Sequence, residues 1–266
     1  MQVVARVASL ANRLAMTTEN ILQTHRLTKD FRGFVAVKGV DLAIRRHSIH
    51  ALIGPNGAGK TTCFNLLTKF LQASSGTIIY KGIDITHYKP DQVTRLGLVR
   101  SFQISAVFPH LSVLENVRIA LQRARGNSFD FWRSDKVLAQ FTPRALELLD
   151  AVGLAELAET PAVELSYGRK RALEIATTLA LDPETMLLDE PTSGMGHEDV
   201  GRIAALIKRI AANRTIIMVE HNLSVVADLC DTITVLARGE ILAEGDYATV
   251  STNPEVVQAY MGAAHA

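Results

Sequence analysis

The sequence predicts an α/β protein built around a sheet of parallel strands, with a helical segment between the two halves of that sheet. Short apolar strands alternate with helices up to about residue 80 and again from Thr185 onward. Between about residues 104 and 165 the alternation of β-branched residues fades, and segments such as 144–152 have apolar residues at helical spacing instead. Apolar strands that alternate with helices are typical of a parallel sheet covered on both faces.

The individual elements follow from local patterns. Residues 21–27 and 40–44 alternate between apolar and polar side chains, which indicates strands, and 48–53 is an apolar strand that runs directly into glycines. A helix over 61–71 ends at the polar turn 72–76. The later elements are predicted as strands at 77–80, 186–188, 215–219 and 232–236 and as helices at 198–212 and near 222–229.

The composition is that of an ordinary globular protein. Of 266 residues, 48% are hydrophobic, 21% charged and 6% aromatic, which argues against disorder, a collagen-like chain or a coiled coil. Lys and Arg total 28 against 27 Asp and Glu, so the chain lacks the basic excess of a nucleic-acid-binding protein, although a local basic patch stays open. Cys63 and Cys230 match no metal or disulfide spacing, which suits a reducing compartment.

The first 20 residues are predicted to form an N-terminal extension ahead of the folded domain. They contain no uninterrupted apolar core, so they are unlike a signal peptide, and no stretch of the chain approaches the roughly 18 apolar residues of a membrane span. A frayed extension, a true start at Met16 and an interfacial membrane helix are the alternatives for this segment. The helical alternative rests on four apolar residues on one face: Val3, Val7, Leu10 and Leu14.

A glycine-rich loop joins the predicted strand at 48–53 to the helix that follows it. Residues 54–61 fit the G-x-x-x-x-G-K-[ST] pattern, whose glycines let the backbone wrap around phosphate oxygens while the next helix contributes its positive end. Lys60 is expected to reach the β- and γ-phosphates, and the Thr61 hydroxyl to bind Mg²⁺. A chance glycine-rich turn is the alternative, and the strand–loop–helix context argues against it. The candidate nucleotide-binding residues here are Gly54, Pro55, Asn56, Gly57, Ala58, Gly59, Lys60, Thr61 and Thr62.

A later apolar strand, predicted at 186–188, ends in two carboxylates. Ligand-binding groups of open α/β sheets gather at the carboxyl ends of the strands, so Asp189 and Glu190 should emerge beside the phosphate loop. Asp189 is expected to hold Mg²⁺ through water, which leaves Glu190 to polarise an attacking water. Solvated acids ahead of a turn at Pro191 are the alternative.

From about residue 20 to residue 262 the chain resembles the ATPase subunit of ABC transporters. The stretch 165–176, Leu-Ser-Tyr-Gly-Arg-Lys-Arg-Ala-Leu-Glu-Ile-Ala, is similar to the family's Leu-Ser-Gly-Gly-Gln signature with tyrosine at the third position. At a helix start, Ser166 and the Gly168 backbone can form an anion-binding nest, and a simple N-cap by Ser166 is compatible with this. The resemblance implies that the nest closes on the γ-phosphate held by the opposite subunit. Its residues are Ser166, Tyr167, Gly168 and Arg169.

The same resemblance implies the fold and its division. The fold is a phosphate-loop NTPase of the ABC ATPase type, whose parallel-centred sheet carries an antiparallel β subdomain and an inserted helical subdomain. We expect this domain over 21–266, with the helical insert at about 104–180.

Three further positions fall in the order that the family requires. Phe31 matches the aromatic residue that stacks on adenine, with a packed strand aromatic as the alternative. Gln103 matches the glutamine that touches Mg²⁺ or water and senses the membrane subunit, and His221 matches the histidine that contacts the γ-phosphate. A hydrogen-bonded structural histidine is the alternative for His221. The resemblance thus implies catalytic roles for Glu190, His221, Lys60 and Gln103 and a Mg²⁺ site at Thr61, Gln103 and Asp189.

Two residues depart from the family pattern. Arg169 replaces the usual glutamine of the signature, which exchanges a neutral amide for a fixed cation. Gly196 stands where many members have an aspartate, in the loop 193–196 that crosses the dimer interface in the family. Neither change touches the residues expected to act on the nucleotide, so we expect an active hydrolytic site; those residues are Lys60, Asp189, Glu190 and His221. A regulatory subunit that does not hydrolyse ATP is the alternative.

Within the family, the chain most resembles the larger ATPase subunit of branched-chain amino-acid importers. The similar stretches are 111–117, 165–176 and 253–262, together with the 62 residues between Gln103 and Ser166. ATPases of lipopolysaccharide export and urea import are the alternatives. The resemblance implies the cofactors ATP and Mg²⁺, two membrane permease subunits, a second ATPase subunit in a homo- or heterodimer, and an extracytoplasmic solute-binding protein. It also implies a peripheral position on the cytoplasmic face of the inner membrane.

Movement is expected to pass to the permease subunits through the surface around Gln103 and the helical insert. Val107, Phe108 and Leu111 are either apolar contacts on that surface or residues buried inside the insert.

Other functional classes fit the sequence less well. Translation factors of the ABC type usually carry two such domains in one chain, and chromosome or repair ATPases separate their phosphate motifs with long coiled coils or zinc modules. Here 128 residues separate Lys60 from Asp189, with no sustained heptads or cysteine clusters. The near-zero net charge argues against a nucleic-acid partner. A GTPase is disfavoured because no Asn-Lys-x-Asp motif is present.

Overall fold

The computed structural model describes residues 19–101, 107–124 and 136–263, and two sheets organise these residues. One sheet is antiparallel, with the order β2–β1–β5–β6 and with β3 also paired to β1. The other has six strands in the order β11–β10–β4–β9–β8–β7; β11 is antiparallel to β10, and the remaining neighbours are parallel. The strands are β1 (Asn20–Phe31), β2 (Phe34–Val40), β3 (Ala43–Arg45), β4 (Ile49–Ile53), β5 (Ser75–Tyr80), β6 (Ile83–Asp84), β7 (Leu98–Ser101), β8 (Thr185–Asp189), β9 (Thr215–Val219), β10 (Thr232–Ala237) and β11 (Glu240–Gly245).

Helices cover both faces of the six-stranded sheet, and a group of them lies between β7 and β8 in the chain. This arrangement confirms the predicted α/β class with a parallel-centred sheet and a separate antiparallel sheet. The helices are α1 (Lys60–Leu67), α2 (Pro90–Arg95), α3 (Val113–Ala124), α4 (Lys136–Ala139), α5 (Thr142–Ala151), α6 (Tyr167–Leu179), α7 (His197–Ala211), α8 (Leu223–Leu229), α9 (Tyr247–Ser251) and α10 (Pro254–Ala263). Two short 3₁₀ turns, Ala155–Leu157 and Ala162–Glu164, precede α6.

The strand β4 shows how the central sheet is covered on both faces. All five of its residues are buried, and four of them are apolar; the fifth is His50, whose ring is hydrogen-bonded to the Thr234 hydroxyl. Ile49, Ala51 and Ile53 pack into a cluster with the helices of one face, whereas Leu52 packs with α1 and the antiparallel sheet on the other face. Because successive side chains of a strand point to opposite faces, a strand covered on both sides is mostly apolar, and a polar residue within it needs a hydrogen-bond partner.

The helices between β7 and β8 share a core with the sheet. Val113 and Val117 of α3, Leu149 of α5 and Leu173 of α6 belong to the same apolar cluster as Ile53 of β4. The helical segment is therefore packed directly on the layer that carries the phosphate loop. A rotation of this segment would have to break apolar contacts with that layer.

The first helix is shorter than the predicted 61–71. It ends at Leu67, with Thr68 as its C-cap, and the chain turns left-handed at Lys69, whose φ is 64°. The buried ammonium of Lys69 donates a hydrogen bond to the carbonyl of Thr86, beyond β6. This tertiary contact determines where the helix ends, and local spacing does not reveal it.

The strand predicted at 40–44 proves to be two strands that pair with different parts of β1. Val40, the last residue of β2, lies opposite Leu27, whereas Ala43, the first residue of β3, lies opposite Gln23. At the crossing, the buried Thr24 hydroxyl donates to the carbonyl of Val40 at 2.8 Å and accepts from the amide of Leu42. A buried side chain thus replaces strand pairing between the two segments. The local pattern also does not predict β6, β7 or β11.

Residues 1–18 lie outside the described part of the chain, so an N-terminal extension at 1–20 stays a prediction, as do the bounds of the helical insert. In the described ranges, no helix is long and apolar enough to cross a membrane.

Candidate nucleotide-binding and hydrolysis site

The phosphate loop leaves the carboxyl end of β4, and two of its glycines have no room for a side chain. A Cβ at Gly54 would lie 2.1 Å from the carbonyl oxygen of Leu236 in β10, and one at Gly59 would lie 2.5 Å from that of Ala36 in β2. Both glycines also have positive φ, 146° and 99°. The loop is therefore wedged between two strands. At Gly57 the space around a Cβ is open, which leaves that side of the loop accessible to a ligand.

Lys60 begins helix α1 and folds back over the loop. Its ammonium donates to the carbonyls of Gly54 at 2.7 Å and Pro55 at 2.9 Å. Partial burial lowers the pKa of Lys60, while the negative charge of Glu190 raises it. The ammonium is thus held at the mouth of the loop within electrostatic reach of Glu190.

The first turn of α1 provides donors on the same side. Amides in a first helical turn have no carbonyl partner within the helix and are suited to phosphate oxygens. Thr61 lies in this turn and is exposed, and Thr62 is half-buried. The Thr61 hydroxyl is therefore available to a ligand or a metal ion.

Asp189, the last residue of β8, is fixed by two arginines. Its Oδ2 accepts a hydrogen bond from the Arg100 guanidinium at 2.5 Å, and the other end of that guanidinium donates to Asn65 of α1. Its main-chain carbonyl accepts from Arg171, which also forms a buried ion pair with Glu174 at 2.8 Å. Asp189 is itself buried; Arg100 orients its carboxylate, and Arg171 holds its main chain.

Glu190 and His221 lie at the carboxyl ends of the neighbouring strands β8 and β9. The Glu190 amide donates to the carbonyl of Val219 at 2.9 Å, which draws the two strand ends together. His221 Nδ1 lies 3.7 Å from Glu190 Oε1, and both side chains reach solvent. The structure thus brings four of the predicted site residues to one edge of the sheet: Lys60, Asp189, Glu190 and His221.

The donor set suits Mg²⁺ better than a metal that needs a protein cage. Within the described ranges, no group of three or more His, Cys, Asp or Glu residues could hold a metal ion. Mg²⁺ usually takes one or two protein oxygens and completes its shell with water and substrate phosphates. The exposed Thr61 hydroxyl and the Asp189 carboxylate are oxygen ligands of this kind.

Phe31 lies at the tip of the β1–β2 hairpin. Its side chain is 44% exposed, and it pairs across the turn with Phe34, which is 68% exposed. The Lys29 ammonium lies 5.1 Å from the centre of the Phe31 ring. Phe31 is therefore an exposed ring at the hairpin tip and not an aromatic residue packed in the core.

The signature residues surround the start of helix α6. Ser166 occupies the N-cap position, but its side chain makes no capping hydrogen bond. A Cβ at Gly168 would lie 2.6 Å from the Asp199 carboxylate carbon in the first turn of α7, so the two helix starts are in close contact. Tyr167 and Arg169 are exposed. Together these residues form a surface from which side chains can reach a second molecule.

Gln103 lies outside the described residues, so its position relative to the site stays a prediction.

Four polar residues that surround the site were not predicted from the sequence. They are all wholly or mostly buried: Arg100, Arg171, Thr192 and Glu220. The available clue was a charged or polar residue beside a motif, such as Glu220 directly before His221.

Comparison with known proteins agrees with this geometry. Residues 37–193, more than half of the chain, match the family model described as "ABC transporter". The chain belongs to the ABC transporter ATPase family. Residues 240–266 match a second model, described as "Branched-chain amino acid ATP-binding cassette transporter".

Curated relatives cover nearly the whole of this ABC ATPase. It is 35% identical to the high-affinity branched-chain amino acid transport ATP-binding protein BraF of Pseudomonas aeruginosa, over 92% of this chain and 98% of the relative. It is also 35% identical to the protein LivG of Escherichia coli, which has the same description, over 93% of this chain and 100% of the relative.

Solved structures of ABC ATPases have the same architecture. The ADP conformation of MJ1267, an ATP-binding cassette of an ABC transporter, superposes with a TM-score of 0.82 at 30% identity and covers 91% of this chain and 99% of that one. The post-hydrolysis dimer of the cassette MJ0796, bound to ADP and phosphate, has a TM-score of 0.71 at 25% identity over 85% and 98% of the two chains.

Proposed function

We propose that this ABC ATPase binds and hydrolyses ATP as the energy-coupling subunit of an importer for branched-chain amino acids. The observation that carries the catalytic part is the convergence of the phosphate loop, Glu190 and His221 at the carboxyl edge of β4, β8 and β9. The proposed substrate rests on the match of residues 240–266 and on the descriptions of the relatives.

The chain's own groups bind and orient the nucleotide. Phe31 offers an exposed ring at the hairpin tip for the adenine, and the backbone amides of the loop and of the first turn of α1 are suited to bind the phosphates. Lys60, which now bonds the loop carbonyls of Gly54 and Pro55, can exchange these bonds for the β- and γ-phosphate oxygens. We assign Thr61, Asp189 and Gln103 to the Mg²⁺ site. The metal ion, when bound, neutralises phosphate charge.

Glu190 is suited to orient the attacking water. Its carboxylate is one-third exposed and lies next to His221, whereas the neighbouring Asp189 carboxylate is buried, with its Oδ2 bonded to Arg100. Of the two acids, Glu190 is therefore the one free to accept a proton from water. His221 is half-exposed beside it and is suited to contact the γ-phosphate.

The other half of the site is proposed to come from a second ATPase subunit, identical or related. The exposed Ser166, Tyr167 and Arg169 and the start of α6 are suited to meet the phosphates bound by the partner. A dimer is among the solved structures of the family. ATP then favours the closed dimer, and hydrolysis removes that preference.

The permease subunits are proposed to dock in a groove between the sheet and the helical segment. This groove has a volume of about 880 Å³ and an apolar wall that includes Val99, Ile119 and Phe108, of which Phe108 is 52% exposed. Val107, by contrast, is partly buried against the core. Glu174 also lines the groove, but its Oε1 is buried and has no hydrogen-bond partner in the part of the chain that the structure describes. An apolar partner segment would complement the exposed apolar wall.

The remaining assignments follow from such a complex. A permease partner would hold the chain at the cytoplasmic face of the inner membrane as a peripheral subunit. A solute-binding protein would deliver the amino acid from outside, and nucleic acid would have no part. The chain's division into an extension at 1–20 and one ABC ATPase domain at 21–266 is also our proposal.

The experiment that tests this function is purification of the chain from its native membranes in mild detergent, with a Lys60→Ala chain as the matched control. We expect hydrophobic subunits to copurify and the ATPase rate to rise when a branched-chain amino acid and its binding protein are added. Lys60→Ala should abolish this activity because ATP binding loses its phosphate cation. Stimulation by urea or copurification of lipopolysaccharide-export components would favour the alternative transporters. Emergence of the chain alone, or with ribosomes or DNA, would contradict the transport assignment.

A further inference from the structure

A fully buried carboxylate, Glu220, links the two catalytic turns. It follows β9 and directly precedes His221, and its exposed fraction is 0%. One oxygen, Oε1, accepts hydrogen bonds from the amide of Thr192 at 3.1 Å and from the Thr192 hydroxyl. The other oxygen, Oε2, accepts from the amides of His221 at 2.9 Å and Asn222 at 3.0 Å.

All four of these partners are donors, so the position requires two acceptor oxygens. A glutamine has one oxygen and one NH₂ group, and its NH₂ would face N–H groups on one side or the other. A shorter aspartate could not span both turns. Burial of a carboxylate is unfavourable unless its hydrogen bonds are complete. The site is therefore built for glutamate.

The Thr192 side of this bridge controls Glu190. Thr192 is two residues beyond Glu190, whose φ of 44° lies in the left-handed region that non-glycine residues rarely adopt. Glu190 is held in this conformation by its amide bond to Val219 and by the bond from the Ser193 amide to its own carbonyl, 3.1 Å long. Glu220 holds this turn in place by accepting hydrogen bonds from the amide and the hydroxyl of Thr192.

The other oxygen of Glu220 controls the turn that presents His221. By binding the amides of His221 and Asn222, it determines the backbone direction as β9 ends and α8 begins. One side chain thus determines how the Glu190 and His221 turns lie relative to each other, and their side chains are 3.7 Å apart.

We propose that Glu220 is a positioning residue for ATP hydrolysis, which clamps the Glu190 turn to the His221 turn through Thr192. This inference rests on the proposed function, because it assumes that Glu190 and His221 act on the γ-phosphate. Glu220 makes no contact with the phosphate loop among its hydrogen bonds, so nucleotide binding should not depend on it.

The test uses the full-length chain with Thr192→Val and Glu220→Gln, and Thr24→Val as the matched control. Thr192→Val keeps the shape but removes the hydroxyl donor on the Glu190 side. Thr24 is an equally buried threonine in the antiparallel sheet, away from the site. ATPase kinetics, nucleotide affinity and melting temperature are measured for each.

We expect kcat to fall about tenfold for Thr192→Val and about 100-fold for Glu220→Gln, because a displacement of about 1 Å at a reacting group has an effect of this size. The KM for ATP and the Kd for a fluorescent ATP analogue should stay within about twofold of the parent. Thr24→Val should lower the melting temperature without changing kcat. If Glu220→Gln does not fold, the kcat and nucleotide affinity of Thr192→Val alone test the proposed role of Glu220.

The Glu190→Gln background separates this proposal from the function on which it rests. Because Glu220 acts through Glu190, adding Thr192→Val to Glu190→Gln should lower the residual rate by less than about twofold. If Glu190→Gln alone hydrolyses ATP at the parent rate, the proposed function of Glu190 is wrong. If Glu190→Gln is inactive but Thr192→Val retains the parent kcat, only the clamp is wrong. A parallel loss of kcat and nucleotide affinity would indicate a merely structural role and would also overturn the clamp.

Discussion

At the scale of single residues, the site consists of side chains that are directed by buried neighbours. Glu190 has a φ of 44°, and hydrogen bonds from its amide and to its carbonyl hold it in this strained conformation. Asp189 points toward α1 because Arg100 joins it to Asn65. The two acids therefore have different environments although they are adjacent in the chain, and this difference is the basis for giving them different roles.

The role of Glu190 leads to a direct prediction. Glu190→Gln should leave ATP affinity within about threefold of the parent and lower the hydrolysis rate by about 10²–10⁴-fold, because an amide cannot accept the proton of the attacking water. Affinity is measured with a fluorescent nucleotide and the rate by phosphate release. Glu147→Gln, an exposed glutamate of α5, is the control and should hydrolyse normally. An unchanged rate in Glu190→Gln would exclude Glu190 as the base.

At the scale of elements, the loop after β4 depends on how closely other strands approach it. Gly54 and Gly59 are squeezed against backbone carbonyls of β10 and β2, which belong to different sheets. The packing of the two sheets therefore determines the shape of the phosphate loop. The glycines are needed because no larger residue fits at these positions.

A pair of glycine substitutions tests this dependence. Gly54→Ala should weaken ATP binding at least tenfold, because its Cβ would overlap the carbonyl of Leu236 and displace the loop. Gly201 lies on the exposed face in the middle of α7, and the space around an added Cβ is open. Gly201→Ala should therefore raise the free energy of unfolding by about 1 kcal/mol and leave ATP binding unchanged. Binding is measured by calorimetry and stability by urea denaturation. Wild-type affinity in a folded Gly54→Ala chain would contradict the packing argument.

The central strand β4 also contains a buried histidine that makes stability depend on pH. Burial, with the charge of Arg45 in addition, lowers the pKa of His50 to about 4. His50 Nε2 lies 2.8 Å from the Thr234 hydroxyl, which in turn donates to Glu244. The neutral ring fits this chain of hydrogen bonds, and the protonated ring is disfavoured by its burial.

Between pH 6.5 and about 4 the unfolded chain binds a proton at His50 that the folded chain does not, so stability should fall as pH is lowered through this window. The contribution of His50 to this loss is up to about 3 kcal/mol. Urea denaturation across this pH range should show that the free energy of unfolding falls less steeply with decreasing pH in His50→Gln, whose amide can still donate to Thr234. His25 is exposed, so His25→Gln serves as the control and should show the same pH dependence of the free energy of unfolding as the parent. Equal slopes in the parent and His50→Gln would contradict this effect.

At the scale of the whole molecule, one chain presents a nucleotide site on one surface and a signature on another. Tyr167 and Arg169 are exposed at the start of α6, and Gly194 lies beside the Tyr167 ring, with its Cβ position 3.8 Å from the hydroxyl. These exposed residues form the surface that we propose to meet a second ATPase subunit. Arg169 gives it a fixed positive charge where the family usually has an amide.

Arg169 should therefore make ATP-driven association sensitive to salt. In a Glu190→Gln background, which keeps ATP bound, sedimentation should show weaker dimerisation for Arg169→Gln and a smaller effect of raising salt from 50 to 300 mM, because one charge–phosphate contact is lost. ATP affinity at low protein concentration should not change. Arg144→Gln, an exposed arginine of α5, is the control. Equal association and equal salt dependence would remove Arg169 from the proposed interface.

Much of the fold follows from patterns that need only neighbouring residues. The strand Thr215–Val219 has its predicted bounds, and α7 differs from its prediction by one residue at each end. The errors occur where a distant contact decides the outcome. Lys69 ends α1 early by reaching Thr86, and Thr24 divides the predicted strand at 40–44 into two.

By itself, the sequence determined the fold class, the existence of a strand–loop–helix around residues 54–61 and the pair of acids at the end of β8, because apolar periodicity and glycine placement act locally. The tertiary structure alone decided which buried groups support that site. Arg100 is 89 residues from Asp189 in the chain, and Thr192 is 28 residues from Glu220, so these contacts form only when the strand ends meet. The physical reason is that a hydrogen bond across a sheet edge depends on the register of strands, which no single segment of sequence encodes.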